Sequence, residues 1–231
     1  MHKIIKNLFY IGIIICFLSI FLIIGAYLSI KPNLPEIKYV DESELQMPLK
    51  VYTKDGYLIG EFGEIKRRAT SFDDIPKDIK NAFLSAEDDN FFNHQGISYA
   101  GLIRSFVRCI GSSGCQGGGG TITMQVVRGY LLTPEQTIVR KIKEIFLALE
   151  LEGKVEKEEI FELYVNRIFL GNRSYGIEAA AYTYFNKNLS QLSISESATI
   201  AAIAQLPSRI NPVKNLRRTL QRRDWILSRM F

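Results

Sequence analysis

Glu87, Asp88 and Asp89 abut Phe91 and Phe92, with His94 and Gly96 close behind. A carboxyl group set against a large apolar surface loses hydration in its charged form. Its pKa rises and it becomes useful as a general base. The same residues also read as the solvated end of an amphipathic helix, because Ile79, Phe83 and Leu84 fall on one stripe of the preceding run PKDIKNAFLSAEDD. Further on, six glycines lie between Gly111 and Gly120 and lead into TITMQVVRG. Flexible backbone running into a helix start can cradle an anion through free N–H groups and the helix dipole. No Gly-Lys-Ser/Thr comes after it, so the loop is not a nucleotide-binding P-loop, and a plain surface loop is the simpler alternative. Thr121, Thr123 and Gln125 add hydrogen-bonding groups, and Arg128 adds a charge. A second carboxylate stands in RKIKE. Arg140 and Lys141 are four and three residues before Glu144, so all three share a helix face. This is either a surface ion pair of little energetic weight or a carboxylate held beside cations that could bind pyrophosphate.

The elements that must position these groups are mostly helical. LKVYTKDGYLIGEFGE reads as a β-hairpin turning at Asp55-Gly56, and everything after it reads as helix. Helices are expected from Pro76 into Glu87, from Tyr99 to Ile110 and from Thr121 to Tyr130. A long one comes next, capped by Thr133 with Pro134 at its first position and ended by Gly153. Then come Glu156 to Phe169, stopped by Gly171, and Tyr175 to Phe185, a capping box at Ser193–Glu196 and a final basic helix from Leu216.

The chain has 231 residues, enough for one sizeable domain and an attached segment. Leu8 to Ile30 carries no charge and is long enough to span a bilayer. Lys3 and Lys6 precede this run, and acidic residues soon come after Lys31. That asymmetry puts the N-terminus in the cytoplasm and the rest outside, in the periplasm or beyond the plasma (inner) membrane. The expected organisation is a cytoplasmic end (1–7), an anchor (8–30), a linker (31–47) and one domain (48–231). The net charge of +5 suits anionic lipid headgroups or phosphates. No nucleic-acid motif is present, so no nucleic-acid partner is expected. Cys109 and Cys115 flank the glycine loop without zinc-ligand spacing to any histidine, and a disulfide and two free thiols remain equal alternatives.

Taken in order, these pieces resemble the peptidoglycan glycosyltransferases, the polymerase domain of class A penicillin-binding proteins and of monofunctional transglycosylases. EDDNFFNHQG is similar to the first motif of that family, GGTITMQ to the second, RKIKE to the third, EIFELYVNRIFLGNRSYGIEAAAYTYF to the fourth and, more loosely, AAIAQLPSRINP to the fifth. The hairpin, TITMQ and RRDWILSRM most resemble the penicillin-binding protein 1A branch.

The resemblance implies a mainly α, lysozyme-like fold and a membrane-bound substrate, lipid II. It implies that Glu87 is the base and Glu144 a second essential carboxylate at the pyrophosphate site, with a divalent cation (Mg or Mn) as an optional companion there and no organic cofactor. It marks Asp88, Phe91, His94, Gly119, Gly120, Thr121, Thr123, Gln125, Arg128, Arg140, Lys141 and Asn166 as substrate-binding positions. Expected partners are lipid II, the nascent glycan chain, membrane lipids and cell-wall synthesis or division proteins.

Departures from the family pattern are Gly120 in place of Ser, Gln136 for a basic residue, Asn186 for Gly, and Ala202 and Ala204 for Gly and Pro. They leave open a non-catalytic membrane scaffold of the same fold. A glycan hydrolase is the other alternative, and the RKIKE cations and the anchor argue against it. The sequence holds no S-x-x-K motif, so polymerisation without peptide cross-linking or β-lactam labelling is expected. The apolar end at Met230-Phe231 reads as that of a truncated, longer protein.

Overall fold

Proline lacks an N–H, so it suits a helix start, where that donor would have no partner. Pro76 does this here: its carbonyl accepts from the Ile79 and Lys80 amides, and helix α1 runs over Lys77–Glu87. The computed structural model describes residues 27–35, 37, 49–62, 66–67, 69–104, 120–133 and 137–231, with isolated positions between 6 and 25. The expected anchor at 8–30 lies largely outside these residues, as do most of the linker, the cysteines, Gly119 and Gln136. Among the described residues no helix is long and apolar enough to cross a membrane.

Strands β1 (Leu49–Tyr52) and β2 (Leu58–Phe62) pair antiparallel, with Leu49 opposite Phe62 and an irregularity between Val51 and Tyr52. Gly56 takes φ +85 in the connecting turn, a conformation that favours glycine. Helix α2 (Ile122–Leu131) begins at Thr121, whose side chain accepts from the Met124 amide. Helix α3 spans Ile138–Glu152, α4 Lys157–Arg167, α5 Ile177–Phe185, α6 Ile194–Ala204 and α7 Leu216–Met230. The Ser193–Glu196 capping box opens α6, and Gly153 ends α3. Residues 99–104 are helical, and the rest of the helix expected there falls outside the described residues.

Two expectations need correction. The cap of α3 is Thr137, which accepts from the Arg140 amide at 3.1 Å. Thr133 has the same chemistry, but Thr137 stands directly before the apolar-periodic run. Nor is everything after the hairpin helical. Strand β3 (Lys66–Arg67) pairs in parallel with β4 (Ser174–Tyr175). Two-residue strands carry no readable period. This pair exists because the chain turns back sharply around β4, with Gly171 at φ +77 and Gly176 at φ +83. A Cβ on Gly176 would lie 2.8 Å from the Asn166 carbonyl oxygen, so that crossing admits no side chain.

Helix α6 is the centre of the core, buried at every position from Ser197 to Ile203. Helices α1 and α7 pack on it and on each other, while α3 and α4 flank α2. Phe83, Phe91 and Phe161 join the two groups in one apolar cluster. Side chains of α4 also grip the segment before α1. Asn166 Oδ1 accepts from the Thr70 amide at 3.0 Å, and its Nδ2 donates to the Thr70 carbonyl at 2.9 Å. Glu162 accepts from the Phe72 amide at 2.7 Å.

Asn166→Ala would leave both Thr70 backbone groups without these partners. It should lower stability by about 2 kcal/mol, the scale of unpaired buried amide groups. Chemical denaturation measures this, and an unchanged midpoint would mean that the Asn166 clamp contributes nothing.

Candidate active site

Glu87 is the last residue of α1, and the chain leaves the helix at Asp88 with φ −159. The buried Asp88 carboxylate then ties the loop after α1 to the start of α2. Its Oδ2 lies 2.9 Å from His94 Nε2 and accepts from the Ile122 amide, the first of α2, at 3.1 Å. A carboxylate at a helix N-terminus also meets the favourable end of the dipole. Thr121 adds a second stitch by donating to the Gly96 carbonyl at 2.6 Å. Gly96 has φ +77, and a Cβ there would sit 2.8 Å from the Ala148 carbonyl oxygen. The loop after Glu87 is thus pressed between α2 and α3. One turn into α2, Gln125 Nε2 donates to Glu87 Oε2 at 3.0 Å.

Burial is the largest influence on Glu87 and raises its pKa, and the neighbouring Asp88 charge adds a small push in the same direction. The Gln125 hydrogen bond opposes this, followed by the charges of Arg222 and Arg128. Glu87 still keeps some solvent contact. A carboxylate so placed can take a proton from a group arriving at the open side. Its partner Gln125 also lines a cleft of about 200 Å³, together with Arg128, Tyr164 and Arg167.

Arg222 and Tyr164 are not marked by the sequence. Arg222 arrives from α7, where it donates to the Ala86 carbonyl at 3.2 Å and lies 3.9 Å from the Trp225 ring. No local spacing links it to Glu87. The only sequence signal is RRDWILSRM, which carries the resemblance without assigning Arg222 a role.

The second carboxylate is not the surface ion pair of the simpler reading. Glu144 is fully buried on α3, with Arg140 Nη1 at 3.1 Å from Oε1 and Lys141 Nζ at 2.9 Å from Oε2. Lys141 remains 40% exposed and is the outward-facing cation of the three-residue group. It reaches the start of α2, since a Cβ on Gly120 would lie 3.6 Å from its Nζ. Two cations around one carboxylate leave a net positive site, suited to an anion. They do not suit a divalent cation, because both Glu144 oxygens already face positive charge. Among the described residues no group of three or more His, Cys, Asp or Glu side chains could hold a metal ion.

Glu87, Gly120, Gln125, Arg128, Arg140 and Lys141 all keep some surface. Phe91, Thr121, Thr123 and Asn166 are buried. Phe91 is core, with Lys157 Nζ 4.4 Å above its ring. Thr123 donates to Glu152, which also pairs with Lys157 at 2.7 Å. Asp88 and His94 bond each other, and Asn166 holds Thr70. These side chains are engaged within the fold.

The transglycosylase family model matches residues 55–231, a span that includes both carboxylates. The chain belongs to the transglycosylase family. It is 52% identical over 207 residues to penicillin-binding protein 1A of Pseudomonas aeruginosa, an alignment covering 90% of this chain and 25% of that protein. Against the Haemophilus influenzae protein of the same name, identity is 47% over 190 residues, covering 82% of this chain and 22% of the relative. For the Escherichia coli protein it is 41% over 209 residues, covering 90% and 25%. The chain therefore spans about a quarter of the length of these relatives. Transglycosylase membership agrees with the ordered motifs, and the penicillin-binding protein 1A relatives agree with the branch they resemble.

In this transglycosylase, NMR titration of the side-chain carboxyls should place Glu87 above the ordinary carboxylate range. Gln125→Leu removes the strongest influence favouring the charged form, so the Glu87 midpoint should move to still higher pH. A midpoint that stays put or falls would show that Gln125 does not stabilise the carboxylate.

Proposed function

We propose that the chain polymerises lipid II into peptidoglycan glycan strands. The observation that carries this reading is the pairing of a half-buried, proton-hungry Glu87 with a separate cationic group, Arg140 and Lys141, on the buried Glu144. Such a site can remove a proton at one place and neutralise a departing phosphate at another. Glu87 takes the proton from the 4-hydroxyl of the incoming GlcNAc. The freed oxygen attacks the anomeric carbon of the growing chain, and the bond from that carbon to polyprenyl pyrophosphate breaks. The displacement inverts the carbon and leaves a β-1,4 link.

Because pyrophosphate is already a good leaving group, charge placement matters more than acid catalysis. Lys141 and Arg140 face the leaving group, Arg128 adds charge along the cleft, and Glu144 fixes the directions of its two cations. Electrostatics draw anionic headgroups to the same surface. The proposed enzyme has the lysozyme-like architecture that the family resemblance implies. Its anchor at 8–30 holds the domain on the outer, periplasmic side of the cell membrane, where enzyme and lipid tails share one plane. Other cell-wall synthesis or division proteins are its proposed partners.

Glu87→Gln keeps size and removes the base. It should lower lipid II polymerisation about 10²- to 10⁴-fold, the usual contribution of a general base, with little change in Tm. Near-normal chain growth by the folded variant would reject Glu87 as the base, and release of sugar fragments from finished glycan would point to a hydrolase instead. Glu144→Gln should weaken donor binding as well as turnover, because Arg140 and Lys141 lose their common anchor. Full activity and donor affinity would return that group to a structural role.

Gly120→Ser should be accepted by the fold. The nearest atoms to an added Cβ are Lys141 Nζ at 3.6 Å and Met124 Cβ at 3.9 Å, both ordinary contacts. A hydroxyl there adds a donor next to the cation, so donor affinity or turnover should rise. A loss of both would mean that this segment binds differently.

A further inference from the structure

Tyr164 sits on α4, with only 4% of its surface exposed. Its ring packs edge-on to Phe83 at 6.0 Å between centroids, and the residue lines the cleft that Gln125 and Arg128 share. Its hydroxyl is buried and has no hydrogen-bond partner among the described residues. A buried hydroxyl without a partner costs stability, and phenylalanine would fill the same space without that cost. A buried phenol without a partner among the described residues can take up a hydrogen bond from a neighbouring group. Phe83, against which the ring packs, lies one turn before Glu87 on α1, and Gln125, which shares the cleft lining, bonds Glu87, so the phenol lies on the Glu87 side of α4. Arg167 shares the cleft wall, and Arg222 on α7 acts on the same Glu87.

We propose that the Tyr164 hydroxyl is a positioning residue for Glu87, supplying the hydrogen bond that the Glu87 carboxyl takes up during the reaction. This rests on Glu87 acting as the base. Gln125 holds one Glu87 oxygen by an N–H donor, which serves the carboxylate. Once Glu87 has gained the sugar proton, the new O–H needs an acceptor on the side that faces the protein. A phenol can both donate and accept, so it can serve either state with a small rotation of the glutamate. The proton balance is simple: the sugar O–H breaks and the Glu87 O–H forms. The Tyr164 proton is not transferred. Burial keeps that phenol well above its ordinary pKa and hence neutral throughout.

The test compares Tyr164→Phe with Glu87→Gln in the full chain, using membrane-embedded lipid II. Tyr164→Phe should keep or raise Tm. Its kcat should fall about 10- to 100-fold, the scale of one hydrogen bond to an ionised group, with KM little changed. The acid limb of its pH–rate profile should move, downward where the hydroxyl accepts from the protonated carboxyl and upward where it donates to the carboxylate. The infrared carboxyl band that vanishes in Glu87→Gln should also shift in Tyr164→Phe. Wild-type kcat and an unmoved acid limb in Tyr164→Phe, alongside an inactive Glu87→Gln, would overturn this inference and leave the proposed function standing. An active Glu87→Gln would overturn both. A kcat loss that only tracks a lowered Tm, with profile and band unmoved, would make Tyr164 structural and also overturn it.

Discussion

One buried carboxylate joins the two halves of the site. Asp88 bonds the His94 ring and the first amide of α2, and so ties the end of α1 to the start of α2. The other close contacts depend on that junction. Thr121 reaches the Gly96 carbonyl, Gly96 presses on α3, and Gln125 comes within hydrogen-bond distance of Glu87. Without the junction, Glu87 would be an acidic residue at a helix end, where the dipole disfavours negative charge and water would compensate. With it, the same residue is held against protein and its basicity rises.

The two functional carboxylates are handled in opposite ways. Glu87 receives one neutral donor, while the charged groups Arg222 and Arg128 act on it less strongly. Burial therefore prevails, and the proton affinity rises. Glu144 is buried more completely but has two cations at close range on its own helix. Removing charges from water is costly, and a buried ion pair seldom repays that cost by adding much stability. Its value lies in direction: Arg140 and Lys141 are held where Lys141 can reach toward Gly120 and the surface. One carboxylate is prepared to change its protonation state, and the other to keep two cations in place.

Other groups that the motifs mark are already engaged within the fold. Thr123 and Lys157 share Glu152, Lys157 covers the Phe91 ring, and Asn166 pairs with both backbone groups of Thr70. Substituting these residues would harm activity through the fold. Loss of activity alone therefore cannot distinguish them from residues that meet the substrate. Among the described residues His94 Nδ1 and the Tyr164 hydroxyl are both buried polar atoms without a hydrogen-bond partner, and of these two residues Tyr164 is the one that lines the cleft.

The sequence by itself determined the helices and the ordered motifs. Pro76, Thr121, the Ser193–Glu196 box and Gly153 act within one or two turns, so their effect is readable from adjacent residues. The same holds for Arg140, Lys141 and Glu144, whose shared face comes from helix periodicity. Tertiary structure decided what depends on distant partners. It buried Glu144, which spacing alone left open between a surface ion pair and a carboxylate held beside cations. It placed Phe91, Thr123 and Asn166 inside, although the motifs marked them as binding positions. It formed β3 and β4 from segments too short to show a period, and it brought Arg222 to Ala86 across 136 residues of chain. Local chemistry is set over three or four residues. Burial and charge at a site are set by whichever side chains arrive from elsewhere, and those arrivals depend on packing that no single stretch encodes.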